Sequence, residues 1–270
     1  MINRFLDTDG CVTVWPKKQS DKVLVLDYLA TKFDANKTYT ELEVNEILKL
    51  WHTFSDWPLL RRELVDRGYM QRDRSGYEYK LSCLVINIAR HGQTDDNLAG
   101  IISYPQAKLT DKGVQQAIEL ARDVKEKGQD FDYIICSPIA RAVATAEIIA
   151  QQLGGKKIYQ DKRLVEGDFK KWEGRSIEEL DRYFGSDKLD WNAYLDLDFG
   201  GEIESYVDTS MRLRSFLFER RDELCNNRVL LISHNQTIKC LQKMAYGFCD
   251  NENINNSQLY TMVVRERVFR

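Results

Sequence analysis

Histidine is scarce in this chain, with three residues in 270, His52, His91 and His234. Any chemistry that needs imidazole therefore has very few candidates. No apolar stretch approaches the ~20 residues of a membrane-spanning helix, and the opening MINRFLDTDG lacks the apolar core of a secretory signal. These absences point to a cytoplasmic protein with no membrane partner. Six cysteines stand far apart with no CxxC pair, which removes the local scaffold of a thiolate zinc site and leaves reduced thiols as the expectation. The net charge of -3, from 39 bases and 42 acids, lacks the positive excess of a nucleic-acid-coating protein. Repeats and low-complexity tracts are missing too, which excludes a solenoid or a long tail. What is present is an ordinary globular composition, 43% hydrophobic and 30% charged, of a length that suits one large domain or two smaller ones.

Two periods divide the chain. In residues 1–82, helices are expected over 20–33 behind a Ser20 cap, over 40–51 behind the Thr40/Glu43 capping box, and after Asp56 with Pro58 in the first turn. The stretch YMQRDRSGYEYKL alternates around an Arg-Ser-Gly turn and reads as a hairpin. Three helices and a hairpin outline a small winged-helix-like α+β domain. From Leu84 the pattern becomes strand, helix, strand, helix, with strands at LVINIA, DYIICS, VLLIS and LYTMVVRE. One long helix is expected from about Glu204 to Leu224. That alternation predicts an α/β domain over 83–270, a three-layer, mostly parallel sheet with helices on both faces, joined to the first domain by a linker near Lys80 to Cys83.

In such a sheet, ligands bind where strands end. The first strand runs into Arg90-His91-Gly92, with Asn97 beyond it, and VLLIS ends in Ser233-His234-Asn235. DYIICS leads to Ser137-Pro138 and Arg141, and the next strand leads to Arg163 through Glu166 and Asp168. Such a set can run phosphoryl transfer through a phosphohistidine. Neighbouring guanidinium groups disfavour a second cation and keep the His91 imidazole neutral and nucleophilic. Arg90 and Arg141 grip the phosphoryl oxygens, with His234 and Asn97 as further donors, so the developing charge is met without a metal. Glu166 is the expected general acid, with Asp168 as the competing carboxylate two residues on.

The segment from Leu84 to Arg270 resembles the histidine phosphatase (phosphoglycerate mutase-like) superfamily through RHGQTDDN at 90–97, SPIARA at 137–142, RLVEGDFKKWEG at 163–174, FGGEIESY at 199–206 and VLLISHNQTIKCL at 229–241. The resemblance implies catalytic roles for His91, Glu166, Arg90, Arg141 and His234. It implies substrate contacts from Arg90, Asn97, Arg141, His234 and Asn235, and it requires neither cofactor nor metal. The implied substrate is a small phosphate ester, with a phosphoprotein left open. The implied reaction is hydrolysis of a phosphate monoester. A phosphoglycerate-type mutase and a regulatory sensor of a phosphorylated ligand are the alternatives. Three departures surround the pocket: Lys170-Lys171 where relatives often carry Gly-Glu, Asn235-Gln236 for Gly-Gly, and GGEIES for GGES. The lysines are read either as a solvated pair or as contacts to a second acidic group of the substrate.

The segment from Asn3 to Leu81 resembles a small uncharacterised bacterial domain of unknown function, through RFLDTDGCVTVWPKKQSDKVLVLDYLATKF, YTELEVNEIL and LLRRELVDRGYMQR. Arg61, Arg62, Arg67, Arg72 and Arg74 could meet DNA phosphates as a recognition helix and wing do. The 13 basic and 13 acidic residues through Ser82 cancel, however, and favour a protein-contact or dimerisation role over nucleic acid. The oligomeric state is not legible. His52, beside Trp51 at a helix end, reads as a capping or packing residue.

Overall fold

The computed structural model describes residues 2–183, 185, 190–197 and 199–269. The chain divides into two compact units, one formed by Met1–Val85 with Val263–Arg270 and the other by Ile86–Met262. This differs from a cut at residue 82. Ser82 is not a loose linker: its N–H donates to the Tyr69 carbonyl (2.9 Å), its hydroxyl to Gly68 (3.0 Å), and its own carbonyl accepts from Glu266 N–H (2.9 Å). The last residues thus return to the first unit, which chain order alone does not suggest.

The first unit holds α1 (Gln19–Ala30), β1 (Tyr39–Thr40), α2 (Glu41–Leu50), α3 (Trp57–Asp66), β2 (Met70–Arg72) and β3 (Glu78–Leu81). The Thr40 box closes as expected, with Thr40 N–H on Glu43 (2.8 Å) and Glu43 N–H on the Thr40 hydroxyl (3.3 Å). Asp56 caps α3 through Leu59 N–H (3.2 Å). The expected Ser20 cap is corrected: α1 starts at Gln19 behind Lys18, which offers no side-chain cap, and stops at Ala30. Phe33, outside the helix, packs edge-on to Tyr39 at 5.4 Å between ring centroids.

The hairpin β2–β3 gains a third antiparallel strand, giving the order β1-β3-β2. Two residues are too short a strand for alternation to reveal. Val25, Leu29, Val44, Leu48, Leu60, Leu64 and Val263 share the core of this unit. His52 donates through Nδ1 to the Leu48 carbonyl (2.6 Å) and stands against Phe54. Three of the five arginines are occupied locally, Arg61 by Asn45 and Glu41, Arg67 by Glu63 and Gln19, and Arg72 by the Tyr79 side chain.

The remaining elements are β4 (Cys83–Arg90), α4 (Asp95–Ala99), α5 (Asp111–Glu126), β5 (Tyr133–Cys136), α6 (Ala140–Gln152), β6 (Lys157–Gln160), α7 (Ile177–Tyr183), α8 (Trp191–Leu195), α9 (Tyr206–Glu219), α10 (Arg221–Asn226), β7 (Val229–Ser233), α11 (Asn235–Tyr246) and β8 (Leu259–Arg265). They form an α/β arrangement on a mostly parallel five-stranded sheet of order β6-β5-β7-β4-β8. The pairs β4/β7, β5/β7 and β5/β6 all run parallel. β7 is buried at every residue, as a central strand covered on both faces must be. The expected single helix over 204–224 is corrected to two. The backbone leaves the helix at Arg220 (φ -99, ψ 11), whose guanidinium is held between Asp161 and Glu223. No helix among the described residues is long and apolar enough to cross a membrane.

Candidate active site

β4 and β7 lie side by side with Arg90 opposite Ser233, so the residues that follow each strand emerge at one edge. His91 N–H continues the ladder onto the Ser233 carbonyl (3.0 Å), which brings His91 and His234 rings to 5.2 Å. Gly92 is required here. A Cβ on it would lie 2.4 Å from the Gly113 carbonyl oxygen, and one on Gly113 would lie 2.1 Å from that of Gln93. The loop after β4 thus presses directly on the first turn of α5, backbone against backbone.

The His91 ring has a defined proton. Nδ1 lies 2.7 Å from the Gly92 carbonyl, which can only accept, so the hydrogen sits on Nδ1. Nε2 then keeps its lone pair and accepts from Arg141 Nε–H at 3.0 Å. Burial first, then the Arg141 and Arg90 charges, push the imidazole well below its ordinary value of 6.5, so the ring is neutral. Arg141 is itself fixed from behind. Its Nη1 donates to the Tyr104 carbonyl (3.0 Å) and its own carbonyl accepts the Thr145 hydroxyl (2.7 Å), while that hydroxyl accepts Gly92 N–H (3.0 Å). Thr145 therefore couples the β4 loop to α6, a link that no spacing in the sequence signals.

Arg90 donates through Nη1 to the Ile254 carbonyl (2.9 Å), and its buried Nε has no protein partner. Glu166 accepts from Gly167 N–H (3.2 Å) and from Gln236 N–H (3.1 Å) in the first turn of α11. Burial raises its carboxyl above the ordinary range, against the opposing pull of Arg141 and Arg90. Asp168, the competing carboxylate, is exposed and turns one oxygen to Lys170 N–H (3.0 Å). Asn97 closes the capping box of α4 with Thr94, and its amide reaches Ser103 (3.3 Å). Asn235 Oδ1 holds Ile254 N–H (3.0 Å).

Arg90, His91, Asn97, Arg141, Glu166 and Asn235 all line one cavity of about 670 Å³. His234 does not line it. Fully buried, it stands behind His91, with Nε2 2.8 Å from the Ser137 hydroxyl. Burial, Arg141 and His91 lower its pKa well below 6.5. Lys170 and Lys171 do not reach the cavity either. Lys170 Nζ donates to the Gly201 carbonyl (2.5 Å), and Lys171 pairs with Glu202 (2.7 Å). The reading in which they meet a second acidic group of the substrate is therefore corrected, because the 199–206 segment takes both cations.

Glu173, at the end of the RLVEGDFKKWEG motif but given no role from it, also lines the cavity, as do Asp181, Trp191 and Tyr194, which lie outside the motifs. The last three come from α7 and α8, and their only sequence signal is local amphipathicity, which a core would produce equally. Among the described residues no three or more His, Cys, Asp or Glu side chains gather to hold a metal ion.

Residues 12–81 match a family described only as an uncharacterised protein conserved in bacteria. A probable phosphoglycerate mutase of Escherichia coli O1:K1 is 34% identical over 169 residues, 61% of this chain and 75% of that protein. A phosphoserine phosphatase of Entamoeba histolytica, solved with 3-phosphoglyceric acid, superposes with a TM-score of 0.54 at 28% identity, covering 66% of this chain and 89% of that one. A mycobacterial glucosyl-3-phosphoglycerate phosphatase shares the fold at TM-score 0.57 and 22% identity, over 66% of this chain and 90% of that one. The pattern of the histidine phosphatase superfamily, branch 1, matches residues 86–266, two thirds of the chain, and the chain belongs to that superfamily.

Proposed function

We propose that the protein hydrolyses phosphate monoesters through a phosphohistidine on His91. The observation that carries this reading is the His91 Nε2 lone pair, held by Arg141 in the same cavity as Arg90 and Glu166. With the ester bound, Arg141 Nε–H passes from Nε2 to a phosphoryl oxygen and frees the lone pair; Nε2 attacks phosphorus as the ester P–O bond breaks, and Arg90 and Arg141 meet the charge spreading over the phosphoryl oxygens. Glu166, with its raised pKa, gives its proton to the leaving alkoxide. The resulting carboxylate then takes a proton from water, whose oxygen attacks phospho-His91, releasing phosphate and restoring Nε2. Asn97 and Asn235, at the cavity wall, serve as substrate-side amides. His234, fully buried outside the cavity lining, supports the His91 ring at 5.2 Å between ring centroids.

A mutase with the same first half must return the phosphoryl group to an anionic intermediate. Its second acidic group would need cations beyond Arg90 and Arg141, and none lines the cavity among the described residues. The deciding experiment is rapid acid-free quenching with a radiolabelled ester. Base-stable, acid-labile label on wild type that is absent from His91→Ala and is released as inorganic phosphate supports the reading. Label transferred to 3-phosphoglycerate instead of water supports the mutase. Tight binding of an ester with no turnover supports the sensor. The first unit is proposed as a winged-helix-like module that contacts protein, because the charges of residues 1–82 cancel and two of its arginines are already paired.

A further inference from the structure

Beyond the phosphate end, the cavity is acidic and aromatic. Asp168, Glu173, Asp181 and Glu252 line it, and none of the four forms a salt bridge among the described residues. The nearby cations are engaged elsewhere. Lys170 and Lys171 hold the 199–206 segment, Arg212 pairs with Glu204, and Lys239, buried behind Trp191, gives its ammonium to the carbonyls of Asp250 and Glu252. Among the described residues, Arg90 and Arg141 are the cations that line the cavity, and a dianionic phosphoryl group occupies both.

A second set of observations points to a ligand in the same space. The Tyr194 hydroxyl, on a residue 2% exposed, and both polar atoms of the Gln236 amide, on a residue 1% exposed, have no protein partner, and both residues line the cavity. Asp181 Oδ1 is buried without a partner as well. Gln236 stands where a Cβ on Gly167 would meet it at 2.5 Å, so its amide is packed over the backbone beside Glu166. Trp191 and Tyr194 lie edge to face at 5.4 Å on the wall, the kind of aromatic surface on which an organic cation rests.

We infer that the alcohol part of the substrate carries an ammonium group on an apolar body and bears no carboxylate. Resting on the reading of this cavity as a phosphomonoester site, this assigns its outer half. The ammonium faces Glu173 and Asp181, the apolar body lies against Trp191 and Tyr194, and the Tyr194 hydroxyl and Gln236 amide take its remaining polar atoms. A carboxylate in the same place would meet like charge with no described cation to offset it. The raised carboxyls of Glu173 and Asp181 fit this arrangement, since burial and neighbouring acids disfavour their charge and an entering cation restores it.

Three esters of one shape test it: 4-(aminomethyl)benzyl phosphate, 4-(hydroxymethyl)benzyl phosphate and 4-carboxybenzyl phosphate. Affinity is measured by calorimetry on full-length His91→Ala, and kcat/KM on the wild type. The expected order is ammonium over neutral over carboxylate, with at least tenfold between the ends in both measurements. In Glu173→Gln/Asp181→Asn the ammonium ester is expected to lose its advantage over the neutral one, and the carboxylate ester to gain. A carboxylate ester that binds as well as the ammonium ester overturns the inference even if all three are hydrolysed. Absence of phospho-His91 with the affinity order intact overturns the hydrolytic reading and leaves the charge assignment standing.

Discussion

One nitrogen lone pair, on His91 Nε2, is fixed by two neighbours whose roles do not depend on each other. The Gly92 carbonyl decides which ring nitrogen carries the proton, and Arg141 aims at the other. Arg141→Ala removes both the donor and a phosphate ligand. The rate of His91 phosphorylation in a single turnover is expected to fall by about 10² to 10³, the usual loss of one charge-stabilising donor. The pH profile follows from the two shifts. The folded pKa of His91 lies well below 6.5, so the imidazole is already nucleophilic at pH values where a free one is protonated, and the acid limb of kcat/KM is expected below pH 6.5. Glu166 must be protonated in the first step, and its raised pKa carries that requirement toward neutral pH and sets the alkaline limb. An acid limb at or above 6.5 would contradict the burial of His91. Lys170→Ala/Lys171→Ala is expected to leave KM for anionic esters within about twofold, since these side chains form only surface contacts.

At the scale of elements, the site depends on how closely the β4 loop meets α5 and α6. Gly113→Ala forces a Cβ into the Gln93 carbonyl, with no flexible side chain to yield. A loss of about 1–3 kcal/mol in denaturant unfolding is expected, with activity falling further because the loop carries His91. Thr40→Ala, far from the site, is expected to cost about 1 kcal/mol through loss of the α2 cap while leaving kcat/KM unchanged. The elements themselves were largely legible. Thr40 with Glu43, Asp56 with Pro58, and the apolar runs of β4, β5 and β7 announce their structure because capping and burial act over a few residues. The break at Arg220 was not legible, since Asp161, which holds Arg220, lies 59 residues away.

For the whole molecule, the division into units is discontinuous. Val263 is 1% and Phe269 4% exposed, and Glu266 N–H bonds to Ser82, all within the first unit. A chain ending at Met262 is expected to lose hydrogen-exchange protection in α1 and α2. Unchanged protection there would show that the first unit is complete in residues 1–85.

The sequence by itself determined the α/β class of the larger unit with its mostly parallel sheet, the superfamily and the strand ends that carry Arg90, His91, Arg141, Glu166 and His234, because alternation, turn chemistry and motif spacing are local along the chain. Only the tertiary structure decided which histidine lines the cavity and which lies behind it, where Lys170 and Lys171 place their charge, and that Asp168, Glu173, Asp181 and Glu252 line one cavity. Those are matters of side-chain direction and of contacts between distant segments, and no local pattern encodes them.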